Sequence, residues 1–186
     1  SPVKNQKIVG AGNFIEFPGG VGDSEVDFYK HDETATSGTP WINIKNEGTG
    51  TLNTNFGTPA NDPEFEDSKG YLVAYNGSDV TKTFSGVPYA GIQGILLTYT
   101  AGDGGQGWNL LGNRFQSAVD WESSMNSKDA LDNGFYYVYN QDLNSGAGGF
   151  EYFYSSVFPD GNTDNVNGKI PAGQAFFVKS KAGGRL

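Results

Sequence analysis

"FYYVYNQDLNSGAGGFEYFYSS", residues 135 to 156, is the stretch on which the fold turns. Two runs of ring-bearing residues, Phe135–Tyr139 and Phe150–Tyr154, flank a string of Asn, Asp, Ser and Gly. Side chains alternate along an extended chain, so Phe135, Tyr137 and Tyr139 share one face, and Tyr136 and Val138 the other. One face must be core. Aromatic runs fenced by turn residues predict two strands joined by a tight connection.

The same grammar extends along the chain. Short aromatic or β-branched runs occur at Val26–Lys30, Trp41–Lys45, Tyr71–Tyr75, Thr81–Phe84, Ile95–Thr100, Trp108–Leu111 and Gln174–Ser180. Gly, Asn, Asp or Pro bound each of them. Only "SAVDWESSMNSKDALDN", residues 117–133, suits a helical turn or two, with Ser117 as the cap. Among 186 residues, 28 glycines, ten tyrosines and one methionine favour many short strands over helices. The predicted fold is all-β: a jelly-roll-like antiparallel β-sandwich.

A weak internal duplication runs through the pattern. "DFYKHDETATSGTPWINIKN" (27–46) followed by "SKGYLVAY" (68–75) parallels "FYYVYNQDLNSGAGGFEYFYSS" followed by "GQAFFVKS" (173–180). On that register Tyr71, Leu72 and Val73 match Phe176, Phe177 and Val178. One domain of two pseudo-symmetric halves, 1–106 and 107–186, is expected. "NRF" at 113–115 falls opposite "SPV" at 1–3, so the counterpart of "GWNLL" (107–111) would precede residue 1. The start therefore looks trimmed.

Charge and composition narrow the partners. A formal charge of −9 with no basic cluster argues against nucleic acid or an anionic membrane surface. No apolar run is long enough to insert into a membrane. Without cysteine there is no disulfide framework, thiolate metal site or cysteine nucleophile. His31, the single histidine, lies in "KHDE" at a strand end and reads as a solvated turn residue. No nucleophile elbow accompanies it. Asp62, Glu64, Glu66, Asp67, Asp120 and Glu122 supply carboxylates, but a glycosidase needs two of them facing each other at about 5 to about 9 Å. "NDPEFED" (61–67) alternates acids with Pro and Phe as a solvated loop would. The expectation is a protein without catalytic residues.

Two constellations remain. "DGNTDNVNG" spaces Asp160, Asn162 and Asp164 alternately, which could converge oxygens on calcium, although the same residues also serve a polar turn. Asn165 stands where an EF-hand loop has its glycine, and no glutamate closes the loop. The second constellation is aromatic. Sugar rings stack their C–H faces on exposed Trp and Tyr while amides and carboxylates take the hydroxyls. Candidates are Trp41, Tyr89, Trp121 and Tyr136, with Asn113, Arg114, Gln116 and Asp120 as polar partners. Trp121 either stands exposed after its turn or caps the sandwich end. Trp108 and Leu110 are expected in the core, and Asn113 is suited to satisfying local backbone groups in its turn.

"GWNLLGNRFQSAVDW" (107–121), with "SPVKNQKI", "WINIKN", "KGYLVAYNGSDVTKTFSG" and "IPAGQAFFVKS", resembles a module near the C-termini of large secreted or surface proteins of Bacteroidota. In those proteins it often precedes a type IX secretion sorting domain. Arg114 and Gln116 stand where the family has prolines after its Gly-Asn, which places two polar side chains in that turn. The resemblance implies an extracellular or cell-surface location and neighbouring domains of a parent protein as partners. It brings no catalytic residues. The function expected is a non-catalytic accessory module that binds glycan or helps its parent adhere. The alternative is a structural spacer stabilised by calcium.

Overall fold

The computed structural model describes residues 2–10, 26–35, 39–46, 51–57, 63–75, 81–91, 94–102, 105–123, 127–154 and 166–186. The chain folds as an all-β sandwich in which every strand pairing is antiparallel. The strands are β1 (Val3–Lys4), β2 (Val26–His31), β3 (Trp41–Asn43), β4 (Tyr71–Tyr75), β5 (Val87–Pro88), β6 (Leu96–Leu97) and β7 (Trp108–Gly112). They continue as β8 (Val119–Asp120), β9 (Tyr136–Asn140), β10 (Gly149–Phe153), β11 (Lys169–Ile170), β12 (Ala175–Lys179) and β13 (Gly184–Arg185).

One sheet has the order β3-β2-β4 and another the order β10-β9-β12-β7. In both, a hairpin's first strand is flanked by its own return strand and by a strand that arrives later in the sequence. The registers correspond. Tyr29 opposes Leu72 in the first sheet as Tyr137 opposes Phe177 in the second. Trp41 opposes His31 as Phe150 opposes Tyr139.

Each sheet buries one face over its own core. Val26, Phe28 and Ile44 point inward with Phe56, Phe65 and Ile8 under the first sheet. Leu111, Phe176, Val178, Tyr136 and Phe153 do so under the second, closed by Leu97, Trp121, Leu131 and Ile170. Leu97 and Ile170 arrive on the two-stranded pairs β6–β13 and β8–β11, Trp121 directly follows β8, and Leu131 sits at a bridge to Ser180. In the first half Ile8 and Phe65 flank the bridge between Lys7 and Glu64. Burying each such side chain contributes about 1.5–3 kcal/mol, which is why strands of two residues persist here.

The two sheets meet where β4 begins and β7 ends. The Gly70 N–H donates to the Leu110 carbonyl at 3.0 Å, and the Gly112 N–H to the Ser68 carbonyl at 2.9 Å. Both positions need glycine for space alone. A Cβ on Gly70 would lie 2.8 Å from Leu110 Cγ, and one on Gly112 would lie 2.8 Å from the Lys69 oxygen. Glu33, just past β2, adds a second tie. Its buried carboxylate accepts from the Thr100 N–H at 2.6 Å, the Gly107 N–H at 2.9 Å and the Thr100 hydroxyl at 3.1 Å.

Some expectations fall differently. Thr81–Phe84 is not a strand, although Phe84 packs against the first core. The stretch 117–133 holds β8 and turns, and no helix among its described residues. Among the described residues the one helical turn, Leu143–Gly146, is the β9–β10 connection, with Asn144 and Ser145 at φ 55° and 59°. No helix of the described residues is long and apolar enough to cross a membrane.

Gly70→Ala is expected to cost about 1–3 kcal/mol or more of stability by forcing backbone apart at the junction. Gly183→Ala, where the nearest atom to an added Cβ lies at 3.8 Å, should change little. Urea midpoints of the two variants check this.

Candidate ligand-binding face

The faces turned away from the two cores form a single aromatic surface across the junction. From the first sheet come Tyr29, His31, Trp41 and Asn43, alternating with the buried positions. From the second come Trp108, Tyr137, Tyr139, Phe150, Tyr152 and Phe177. The sheets touch here through His31, whose ring centroid lies 5.3 Å from Phe177, and through Trp41, 5.9 Å from the same ring.

Two hollows open on this surface, and Trp41 borders both. The first, about 620 Å³, is floored by Tyr29, Ile42 and Leu72 and ringed by Asn43, Asn46, Asn53 and Asn55. Some of these amides are already engaged. Asn43 donates to Asp27 at 3.1 Å, and Asn46 donates to the Leu52 carbonyl at 3.0 Å. Asn53 accepts from the Asn55 N–H through its oxygen at 3.0 Å, which leaves its amide nitrogen and the Asn55 carboxamide uncommitted. Lys45 on the rim is paired with Asp27 at 3.0 Å. Burial works upward on Asp27, but the hydrogen bonds from Lys45 and Asn43 outweigh it and hold the carboxyl below the usual range.

The second hollow, about 400 Å³, is lined by His31, Trp41, Trp108, Tyr137, Phe150 and Phe177. His31 Nδ1 is buried there without a hydrogen-bond partner. Burial lowers the imidazole pKa below its ordinary value, with Asp32 and Glu33 pulling the other way and Lys69 adding to the depression. His31 is therefore part of an aromatic wall in which burial disfavours its charged form, not a solvated turn residue.

Trp41 lies on the open face, half-buried between the hollows. Trp121 and Tyr136, by contrast, are each 1% exposed and belong to the second core. Their rings lie 5.2 Å apart edge to face, and the Trp121 indole N–H donates to the Gly134 carbonyl at 3.0 Å. They offer a ligand no surface. On β9 the odd-numbered residues face outward, so Tyr137, one position along from Tyr136, is the ring that meets the cleft. Trp108 also leaves the core expected for it and lines the hollow, and Leu110 is buried beneath that same face.

The polar residues of the 113–116 turn mostly have structural tasks. Asn113 donates to the Ser117, Ile170 and Pro171 carbonyls at 2.9, 2.9 and 3.0 Å, and accepts from the Phe115 N–H at 2.9 Å. Arg114 is buried, reaches both Asp67 oxygens at 2.8 and 2.7 Å, and lies 5.3 Å from the Tyr89 ring. Tyr89 thus belongs to this ion-pair cluster, apart from the cleft. Gln116 is exposed. Asp120 is exposed and pairs with Lys169 at 2.5 Å; that bond is the main cause of its lowered pKa. Asp160, Asn162 and Asp164 lie outside the described residues, among which no group of three or more His, Asp or Glu could hold a metal.

Comparison with models of protein families, with curated proteins and with solved structures finds no match.

The His31 environment predicts a pH dependence. Its folded pKa lies below the unfolded value of 6.5, so between the two the unfolded chain holds a proton that the native state does not. That contribution is fully present above pH 6.5 and is lost as pH falls from there toward the folded pKa. The Asp27 contribution goes only below its unfolded value of 3.8. Melting temperature should therefore fall in a first step below pH 6.5. His31→Phe should flatten that step and leave the lower one.

Proposed function

We propose that this chain is a non-catalytic, glycan-binding accessory module of an exported protein, and that Trp41 is the central contact. The observation that carries this reading is the position of the Trp41 ring on the rim of a hollow edged by four asparagines. An indole face for sugar C–H groups beside amides for hydroxyls is the pairing that pyranose recognition requires. The volume of the hollow falls within the range of about 300–1,000 Å³ usual for ligand sites. Among the described residues, neither hollow is lined by Asp or Glu, which supports binding without hydrolysis. The resemblance to a module of Bacteroidota surface proteins supports an extracellular or cell-surface setting. Neighbouring domains of the parent would then supply any catalysis.

The spacer reading has its own support in the number of polar side chains committed internally. Glu33, Asn109, Asn113 and Arg114 are all buried and bonded to backbone or to one another's neighbours. Calcium at Asp160, Asn162 and Asp164 belongs to that reading, and a rise in melting temperature with millimolar calcium, reversed by EGTA, would be its mark.

Affinity electrophoresis against neutral and acidic polysaccharides decides between the two. Glycan binding predicts retardation by at least one neutral polysaccharide. Trp41→Ala should weaken it about tenfold, or ~1.4 kcal/mol, with the fold intact by circular dichroism. Asn55→Ala should weaken it less. No retardation across the panel, or retardation unchanged in Trp41→Ala, overturns the glycan reading.

A further inference from the structure

The second hollow differs in kind from the first. Its rings are nearly perpendicular to one another: His31 to Trp41 at 83°, His31 to Phe177 at 89°, Trp41 to Phe177 at 85° and Trp108 to Phe177 at 87°. Tyr137 stands at 71° to Trp108, and Phe150 at 78° to Phe177. A flat pyranose can stack on only one wall of such a box. A compact, rounded group can touch several at once.

Charge narrows the choice. The chain carries −9, and no Asp, Glu, Lys or Arg is among the residues lining the box. The summed field therefore draws cations toward walls that have no charge of their own to repel them. At the rim, Lys179 Nζ already sits 5.8 Å from the Trp108 centroid, its charge shared with Asp132 at 3.4 Å. That geometry is a cation held over an indole face.

The walls also select the kind of cation. A primary ammonium entering the box would give up its water hydrogen bonds with no carboxylate on the lining to replace them. A quaternary ammonium has no N–H to satisfy and presents methyl groups over a diffuse charge. Aromatic cages take such groups.

We propose that the box formed by His31, Trp41, Trp108, Tyr137, Phe150 and Phe177 binds a trimethylammonium group of the choline type. The site is distinct from the amide-ringed hollow and shares only Trp41 with it. Free solute and lipid headgroup would present the same chemistry.

The test uses choline and its neutral isostere, in which a tert-butyl group replaces the trimethylammonium. Saturable change of tryptophan fluorescence is expected with choline, and the isostere should bind about tenfold more weakly. Phe177→Leu should weaken choline binding by a similar factor. Because Phe177 is 9% exposed and its loss could disturb folding, Phe150→Leu, at a ring 51% exposed, provides a second reading with a smaller loss. Lys179→Met removes the competing cation and should tighten choline binding, while Asn55→Ala should leave it unchanged. Phosphatidylcholine vesicles beside free choline separate headgroup from solute, since only a headgroup ligand would carry the protein down with the vesicles. Equal affinity for choline and the isostere, or no saturable response to choline, overturns the proposal. Neither result would bear on the polysaccharide measurement with Asn55→Ala.

Discussion

The contact between β4 and β7 at Gly70 and Gly112 is the constraint on which the rest of the surface depends. Each sheet is satisfied by its own core and could bury its inner face without the other. What sets one sheet's outer face beside the other's is a backbone approach that excludes any side chain at two positions. His31 follows directly, because it lies one residue beyond the pairing of Lys30 with Tyr71 and so stands beside Gly70. Once Gly70 is seated against Leu110, the histidine ring meets Phe177 and Trp41 meets both. The box is therefore a product of the junction and belongs to neither half alone.

Much of this was legible in the sequence, because side-chain parity is a local property. The alternation in "DFYKH" and "YLVAY" places Phe28 and Val73 opposite one another in the first core, and Tyr71–Tyr75 is found at its predicted bounds. In "FYYVYN" alternation divides the residues correctly but does not say which set is buried. Five aromatic or branched side chains look equally apolar, and the choice is made by partners far away: Tyr136 pairs with Phe153 and lies against Phe176 and Trp121. Most of the two-residue strands were missed for a related reason, although Leu96–Leu97 lies within the strand read at Ile95–Thr100. Val119–Asp120 and Lys169–Ile170 carry too few residues to show a period, and they are held by what Ile170 and Trp121 bury.

The site was less legible than the fold, since its residues meet only through contacts remote in sequence. His31 and Phe177 are separated by most of the chain. A polar residue in a turn reads as available to a ligand until its partner is known, and Arg114 finds Asp67 47 residues away. Asn113 reaches Pro171 across 58. Trp41 was legible as an exposed ring, but its amide neighbours in the hollow, Asn43, Asn46, Asn53 and Asn55, were not.

Neutral polar groups at the waist of an aromatic surface have a physical consequence that unites the two hollows. A charged residue at position 31 would need either water or a counter-ion, and both would break the run of rings from Trp41 to Phe177. Histidine supplies a polar edge there, and burial lowers its pKa, which disfavours the charged form. Glu33, two residues on, shows the opposite solution: its carboxylate is buried, and it meets two backbone N–H groups and a hydroxyl. The "KHDE" segment thus carries one group whose burial in the wall disfavours its charged form, and another that is tolerated because it is fully bonded. The outer face can then remain apolar at its centre and amide-rich at one side, and that gradient sets it apart from the uniform apolar packing beneath the sheets.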